Sequence, residues 1–129
     1  MSKDKMKKLT LADIIAKKEQ ILDSKKKVGN IFIKSLDGYI VAEKPDRALI
    51  ADAQEMENGM ESNVHIVYNC IVEPNLKDKD IQKEFGVHTP KELLQVIMND
   101  GEIGDVAAEL MKLAGYGNTG VELVKDLKN

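Results

Sequence analysis

VGNIFIKSLDGYIVAEKP, residues 28–45, places Asp37-Gly38 between two runs of β-branched and aromatic residues. Such a pair tolerates the positive backbone angles of a two-residue turn, so the segment predicts an antiparallel hairpin. With that turn, Ile33 faces Ala42 and Ser35 faces Ile40. Alternation then sets Ile31, Ile33, Ile40 and Ala42 on one side, and Phe32, Lys34, Val41 and Glu43 on the other. The first side is apolar enough to bury. A lone hairpin is only marginally stable in water, so helices must cover it.

The flanks offer those helices. Thr10 supplies an N-cap hydroxyl with Asp13 at the third helical position, and Leu11, Ile14, Ile15, Ile21 and Leu22 recur at near-helical spacing. A helix over about 11–24 with a lysine-rich polar face is predicted. After the hairpin, Asp46 caps a helix near 47–57 with the stripe Leu49, Ile50, Ala53 and Met56, stopped by Asn58-Gly59. Asp78 to Phe85 is a short helix ended by Gly86. Thr89-Pro90-Lys91-Glu92 is a capping box that opens a helix through Met98, with Leu93, Leu94, Val96 and Ile97 on its apolar side. Asn99-Asp100-Gly101 closes it. The next helix, about 102–114, presents Ile103, Val106, Ala107, Leu110, Met111 and Leu113.

NVHIVYNCIVEP, residues 63–74, stays open between two forms. Val64, Ile66, Val67, Tyr68, Ile71 and Val72 favour strand, yet Val64, Val67, Tyr68 and Ile71 also fit the i, i+3, i+4, i+7 spacing of a helix. Pro74 ends the segment in either case.

AGYGNTG, residues 114–120, matches the dinucleotide-binding pattern G-x-G-x-x-G. That pattern cradles pyrophosphate only between a strand and a helix N-terminus, with an acid about 20 residues further on. Here Gly115 follows a helical stripe, and the chain has no residue at the required distance. The glycines read as helix punctuation. Thr119-Gly120-Val121-Glu122 is a further capping box, opening a last helix with Val121, Leu123, Val124 and Leu127.

The 129 residues suffice for one domain with an unaided core. We divide them into a flexible basic arm, 1–8, and a single domain, 9–129. With 43% hydrophobic, 32% charged and 4% aromatic residues and no Trp, the core must rest on Ile, Leu, Val and Met. No apolar run reaches the roughly 18 residues of a membrane span, and nothing resembles a signal peptide. The single cysteine, Cys70, allows no internal disulfide and fits a reducing cytoplasm. Residues 1–27 hold nine lysines against four carboxylates, net +5. The remainder holds ten basic and eighteen acidic residues, net −8. The arm has no interleaved arginine or aromatic residue, so it reads as solvated, with nucleic-acid binding as the competing function.

No catalytic, cofactor or metal site is expected. His65 and His88 lie 23 positions apart, and His65 and Cys70 are i, i+5, so neither pair forms a metal spacing. A buried Cys70 and a hydrogen-bonded His65 are expected instead. Glu55/Glu57 and Asp78/Asp80 read as solvated helix surface. Met56, Met98 and Met111 fall near core stripes.

Four segments together resemble the XkdN-like phage tail assembly chaperones: LTLADIIAKKEQ, FIKSLDGYIVAEKPDRALIADAQEM, YNCIVEPNLKDKDIQKEFGV and TPKELLQVIMNDGEIGDVAAELMKLAGYG. The likeness runs from about 9 to 124. It departs at GEIGDV, where an aromatic residue is expected near position 103. The resemblance implies an α+β, predominantly α-helical protein: an N-terminal helix and β-hairpin followed by a cluster of short helices. It moves residues 63–72 toward helix. It also implies a non-enzymatic protein of the bacterial host cytoplasm that binds the tail tape measure protein, keeps it soluble, helps recruit tail tube subunits, and is not part of the finished virion. Residues 89–127 carry more aliphatic positions than short helices easily hide. Leu93, Ile97, Ile103, Leu110, Met111, Leu123 and Leu127 are therefore the expected partner-binding side chains, and self-association is expected of any patch left bare. Heparin retention would favour the nucleic-acid reading, and stabilisation by a dinucleotide would favour an enzyme built on GYGNTG.

Overall fold

The computed structural model describes residues 6–23, 27–117 and 120–124. Its elements are α1 (Leu11–Ala16), α2 (Lys18–Asp23), β1 (Val28–Ile33), β2 (Gly38–Glu43), α3 (Arg47–Gln54), α4 (Gly59–Cys70), β3 (Ile71–Glu73), α5 (Lys79–Glu84), α6 (Pro90–Ile97) and α7 (Asp100–Leu113). The strands form one antiparallel sheet in the order β1-β2-β3. The protein is α+β and predominantly helical.

The hairpin forms with its expected faces but with another register. Ile31 pairs with Ile40, Phe32 with Tyr39 and Ile33 with Gly38. A 3-10 turn over Lys34–Leu36 joins the strands, and Asp37, at φ 49, takes the left-handed conformation alone. The chain thus spends four residues on the turn instead of two, and each β1 residue meets a β2 partner four positions earlier in the chain than expected. Because side chains alternate with period two, an even shift leaves every residue on its expected face. Ile33, Ile40 and Ala42 are buried, while Phe32 is 62% exposed and Tyr39 64% exposed.

Local signals set most helix starts. Thr10 and Asp13 form the reciprocal capping box on α1, and Asp46, Asp78 and Thr89 cap α3, α5 and α6. At Thr89 the box is half formed: its hydroxyl accepts from the Glu92 N–H and donates to the Glu92 carboxylate. Two expected stops are starts. Asn58 accepts from the N–H groups of Met60 and Glu61 and opens α4, and Asn99 with Glu102 forms a capping box that opens α7. Asn is the same signal at either boundary, and only the direction of the following chain distinguishes them.

The ambiguous segment adopts both of its forms in succession. Helix α4 runs through Cys70, and Ile71–Glu73 then pair with Val41 and Ala42 of β2 as β3. Inside α4 the buried side chains are Val64, Ile66, Val67 and Cys70. This helix packs on α3, α6 and α7, and α7 also reaches β1, where Leu113 lies over Gly29. A Cβ at Gly29 would stand 3.2 Å from that side chain, so the missing side chain lets α7 lie close to the sheet. Ile103 is fully buried in α7. An aliphatic side chain therefore fills the place where an aromatic one was expected.

Two other expectations fail. The helix over 11–24 is interrupted at Lys17, which caps α1, and neither α1 nor α2 buries a residue. Beyond α7, Val121–Val124 are not helical, and Val121 and Leu123 are 86% and 76% exposed. Thr119 and Leu127 lie outside the described residues, as do residues 1–5 of the arm.

Gly115 has φ 95 and closes α7: its N–H donates to the Lys112 carbonyl and the Tyr116 N–H donates to the Met111 carbonyl. This pair of bonds satisfies the last carbonyls of the helix and requires the left-handed conformation. An added Cβ would meet no atom within 4 Å. Gly115→Ala should therefore destabilise the fold by about 1 kcal/mol through backbone strain alone. Chemical denaturation would measure the loss, and an unchanged midpoint would refute the account.

Candidate functional site

Two residues weighed for chemistry sit apart from any reactive arrangement. Cys70 is buried and unbridged, and its thiol is pushed up to about 11 by burial, helped by the charges of Asp46 and Glu43. Such a thiol stays protonated at neutral pH and makes a poor nucleophile. His65 packs edge-on against Tyr68, with ring centres 5.9 Å apart, and its buried Nε2 has no hydrogen-bond partner among the described residues. The expectation of a hydrogen-bonded His65 fails at that atom, because the α4 position that buries the ring places no donor or acceptor beside it. Among the described residues, no group of three or more His, Cys, Asp or Glu could hold a metal. Gly115 and Gly117 follow a helix and precede no helix among the described residues, so the phosphate-cradling context is lacking there.

The structure divides the expected partner-binding residues. Leu93, Ile103 and Leu110 are fully buried, and Ile97 and Met111 are half-buried. Leu123 is exposed, and Leu127 lies outside the described residues. The first three hold α6 and α7 against α4 and the sheet, so they cannot meet a partner without unfolding the domain. Short helices hide their stripes here because α6 packs on α4, and α7 packs on both α4 and β1.

Ile97 instead lies in the wall of an apolar cleft of about 210 Å³ between the hairpin, β3 and α6. Buried Ile33, Ile40, Leu76, Leu94 and Met98 form its floor. At its rim stand Leu36, 47% exposed, and Tyr39. No charged side chain lines it. The rim residues come from the hairpin turn and the start of β2, which is why the four-residue turn matters: it lifts Leu36 over the cleft. Leu76 is held in the floor by Gln82 of α5, a buried side chain whose Nε2 donates to the Leu76 carbonyl at 2.8 Å. An apolar cavity of ~150 Å³ holds a benzene ring. This one can take a large aliphatic or aromatic side chain from a partner. Sequence reasoning found Ile97 but missed Leu36 and Tyr39, because the expected register did not set Tyr39 opposite Phe32.

Near the cleft, Glu102 holds two elements together. Its carboxylate accepts from the Ser35 hydroxyl in the hairpin turn and from the Asn99 N–H at 3.0 Å. These bonds, Ser35 first, lower its pKa. A carboxylate with a depressed folded-state pKa contributes stability above its unfolded value, and that contribution is lost as pH falls through the folded one. Wild-type melting temperature should therefore fall on acidification below the usual carboxylate range. Glu102→Gln should flatten part of that acid limb in thermal melts across pH, and an identical limb in the variant would remove Glu102 as a cause.

Comparison with known proteins bears on what this cleft serves. A family model described as phage XkdN-like tail assembly chaperone protein matches residues 40–128. The crystal structure of the protein YqbN is similar over 71% of this chain and 87% of that chain, with a TM-score of 0.53 and 13% identity, a likeness of fold. No curated protein sequence matches the chain significantly. Covering more than half of the chain, including α3 to α7 but not the cleft's rim residues Leu36 and Tyr39, the family match shows that the chain belongs to the XkdN-like phage tail assembly chaperones.

Proposed function

We propose that this chaperone binds the tail tape measure protein in the bacterial cytoplasm, keeps it soluble until the tube polymerises, and helps recruit tail tube subunits. The observation that carries the reading is the uncharged cleft with its exposed Leu36 and Tyr39 rim. A long amphipathic helix aggregates unless its apolar side chains are covered, and a groove on a small domain can cover them without any catalytic group. The family's place in tail assembly supports the choice of partner. Half-buried Ile97 keeps a role as one wall of the cleft, while Leu93, Ile103 and Leu110 belong to the core cluster that also holds the floor residues.

Co-expression of the chain with the tape measure protein of the same phage tests this. The tape measure protein should become soluble and be retained with the tagged chaperone. Equal solubility with and without the chaperone, or no retention, would overturn the proposal.

A further inference from the structure

The N-terminal segment has apolar side chains that the domain itself leaves bare. Leu9, Leu11, Ile14, Ile15 and Leu22 are between 43% and 82% exposed. Isolated helices shorter than ~12–15 residues are marginal in water, and α1 and α2 have six residues each. Lys7, Lys8, Lys17 and Lys18 surround these side chains, in a region of net charge +5.

A complementary surface exists elsewhere on the same chain. Between β1 and α7 lies a groove of about 270 Å³. Ile31, Ile33 and Val106 give it an apolar base, and Phe32 stands exposed at its lip. Glu102, Asp105 and Glu109, at i, i+3 and i+7 of α7, line one wall against a single lysine, Lys34. Among the described residues, none of the N-terminal segment lines this groove within its own chain. The groove thus pairs apolar surface with negative charge, as the segment pairs apolar surface with positive charge.

We propose that residues 9–22 of one copy dock in the β1–α7 groove of a second copy. The apolar side chains of α1 cover Ile31, Phe32 and Val106, and the flanking lysines face Asp105 and Glu109. Segment and groove are different surfaces of one chain, so the contact is head-to-tail: reciprocal exchange closes a dimer, and one-way exchange builds a ring or an open chain. The inference is independent of the apolar cleft and of the tape measure protein.

Sedimentation velocity of the full chain over a concentration series tests it. The wild type should grow from single chains to dimers or larger species with concentration, and added salt should weaken the association. Two variants separate the halves of the contact: Ile14→Glu with Ile15→Glu in the segment, and Asp105→Lys with Glu109→Lys in the groove. All four positions are exposed, so melting temperatures should stay close to wild type. Each variant alone should remain a single chain. Mixed together they should form a heterodimer, because one retains an intact groove and the other an intact segment. A wild type that stays monomeric throughout, variants that associate as the wild type does, or a mixture that stays monomeric would each overturn the proposal.

Discussion

Leu110→Ala is expected to lower the unfolding free energy by about 3 kcal/mol. Leu110 sits on α7 with no exposed surface and belongs to the core that joins α4, α6 and the sheet. Truncation removes buried methyl groups and leaves a cavity that a rigid neighbourhood closes only in part, and such changes cost ~2–5 kcal/mol. Val64, Val67, Leu93 and Ile103 are likewise fully buried, which leaves little slack for collapse. The neighbouring Met111→Ala, at a half-buried position, should cost well under half as much. Urea denaturation of both variants checks the contrast. Equal losses would show that α7 does not face the core through Leu110.

Tyr39→Ala and Leu36→Ala should each weaken capture of the tape measure protein by roughly thirtyfold, about 2 kcal/mol, as expected of an anchor desolvated in a binding cleft. Both side chains are exposed in the free chain, so their removal should move the melting temperature by no more than a few degrees. Val96→Ala is the control: Val96 is 52% exposed on α6 and does not line the cleft. Titration of immobilised chaperone with a soluble tape measure fragment gives the affinities. If the cleft variants bind as tightly as Val96→Ala, the partner sits elsewhere. The segment variants Ile14→Glu and Ile15→Glu should keep tape measure affinity while losing self-association, so the two surfaces can fail separately.

The tape measure proposal and the self-association proposal lead to different expectations for charge. Cleft binding is uncharged and should change little with salt, whereas the segment–groove contact is lined by lysines and carboxylates and should weaken with it. A salt series therefore distinguishes them without mutation.

Features governed by neighbours along the chain were legible in the sequence. The caps at Thr10, Asp46 and Thr89 each need one side-chain oxygen and an N–H three residues away, and each accepts that N–H as expected, although the box at Thr89 is half formed. Gly115 ends α7 because a helix of that stripe must stop somewhere and glycine alone enters the left-handed turn freely. The hairpin's two faces follow from alternation, which survives the four-residue shift in register. Features that depend on which surfaces meet were not legible. Leu110, predicted to face a partner, and Ile14, on an equally regular stripe, differ only in that α4 and the sheet close over one of them. The same packing turns the end of the 63–74 segment into β3, since Ile71 and Glu73 find open partners on β2 that no local pattern records. The cleft arises from three distant pieces of chain, with Leu36 lifted by a turn whose length the Asp37-Gly38 pair does not set. Burial and site formation are properties of surfaces brought together across the chain, and periodicity specifies each surface without naming its partner.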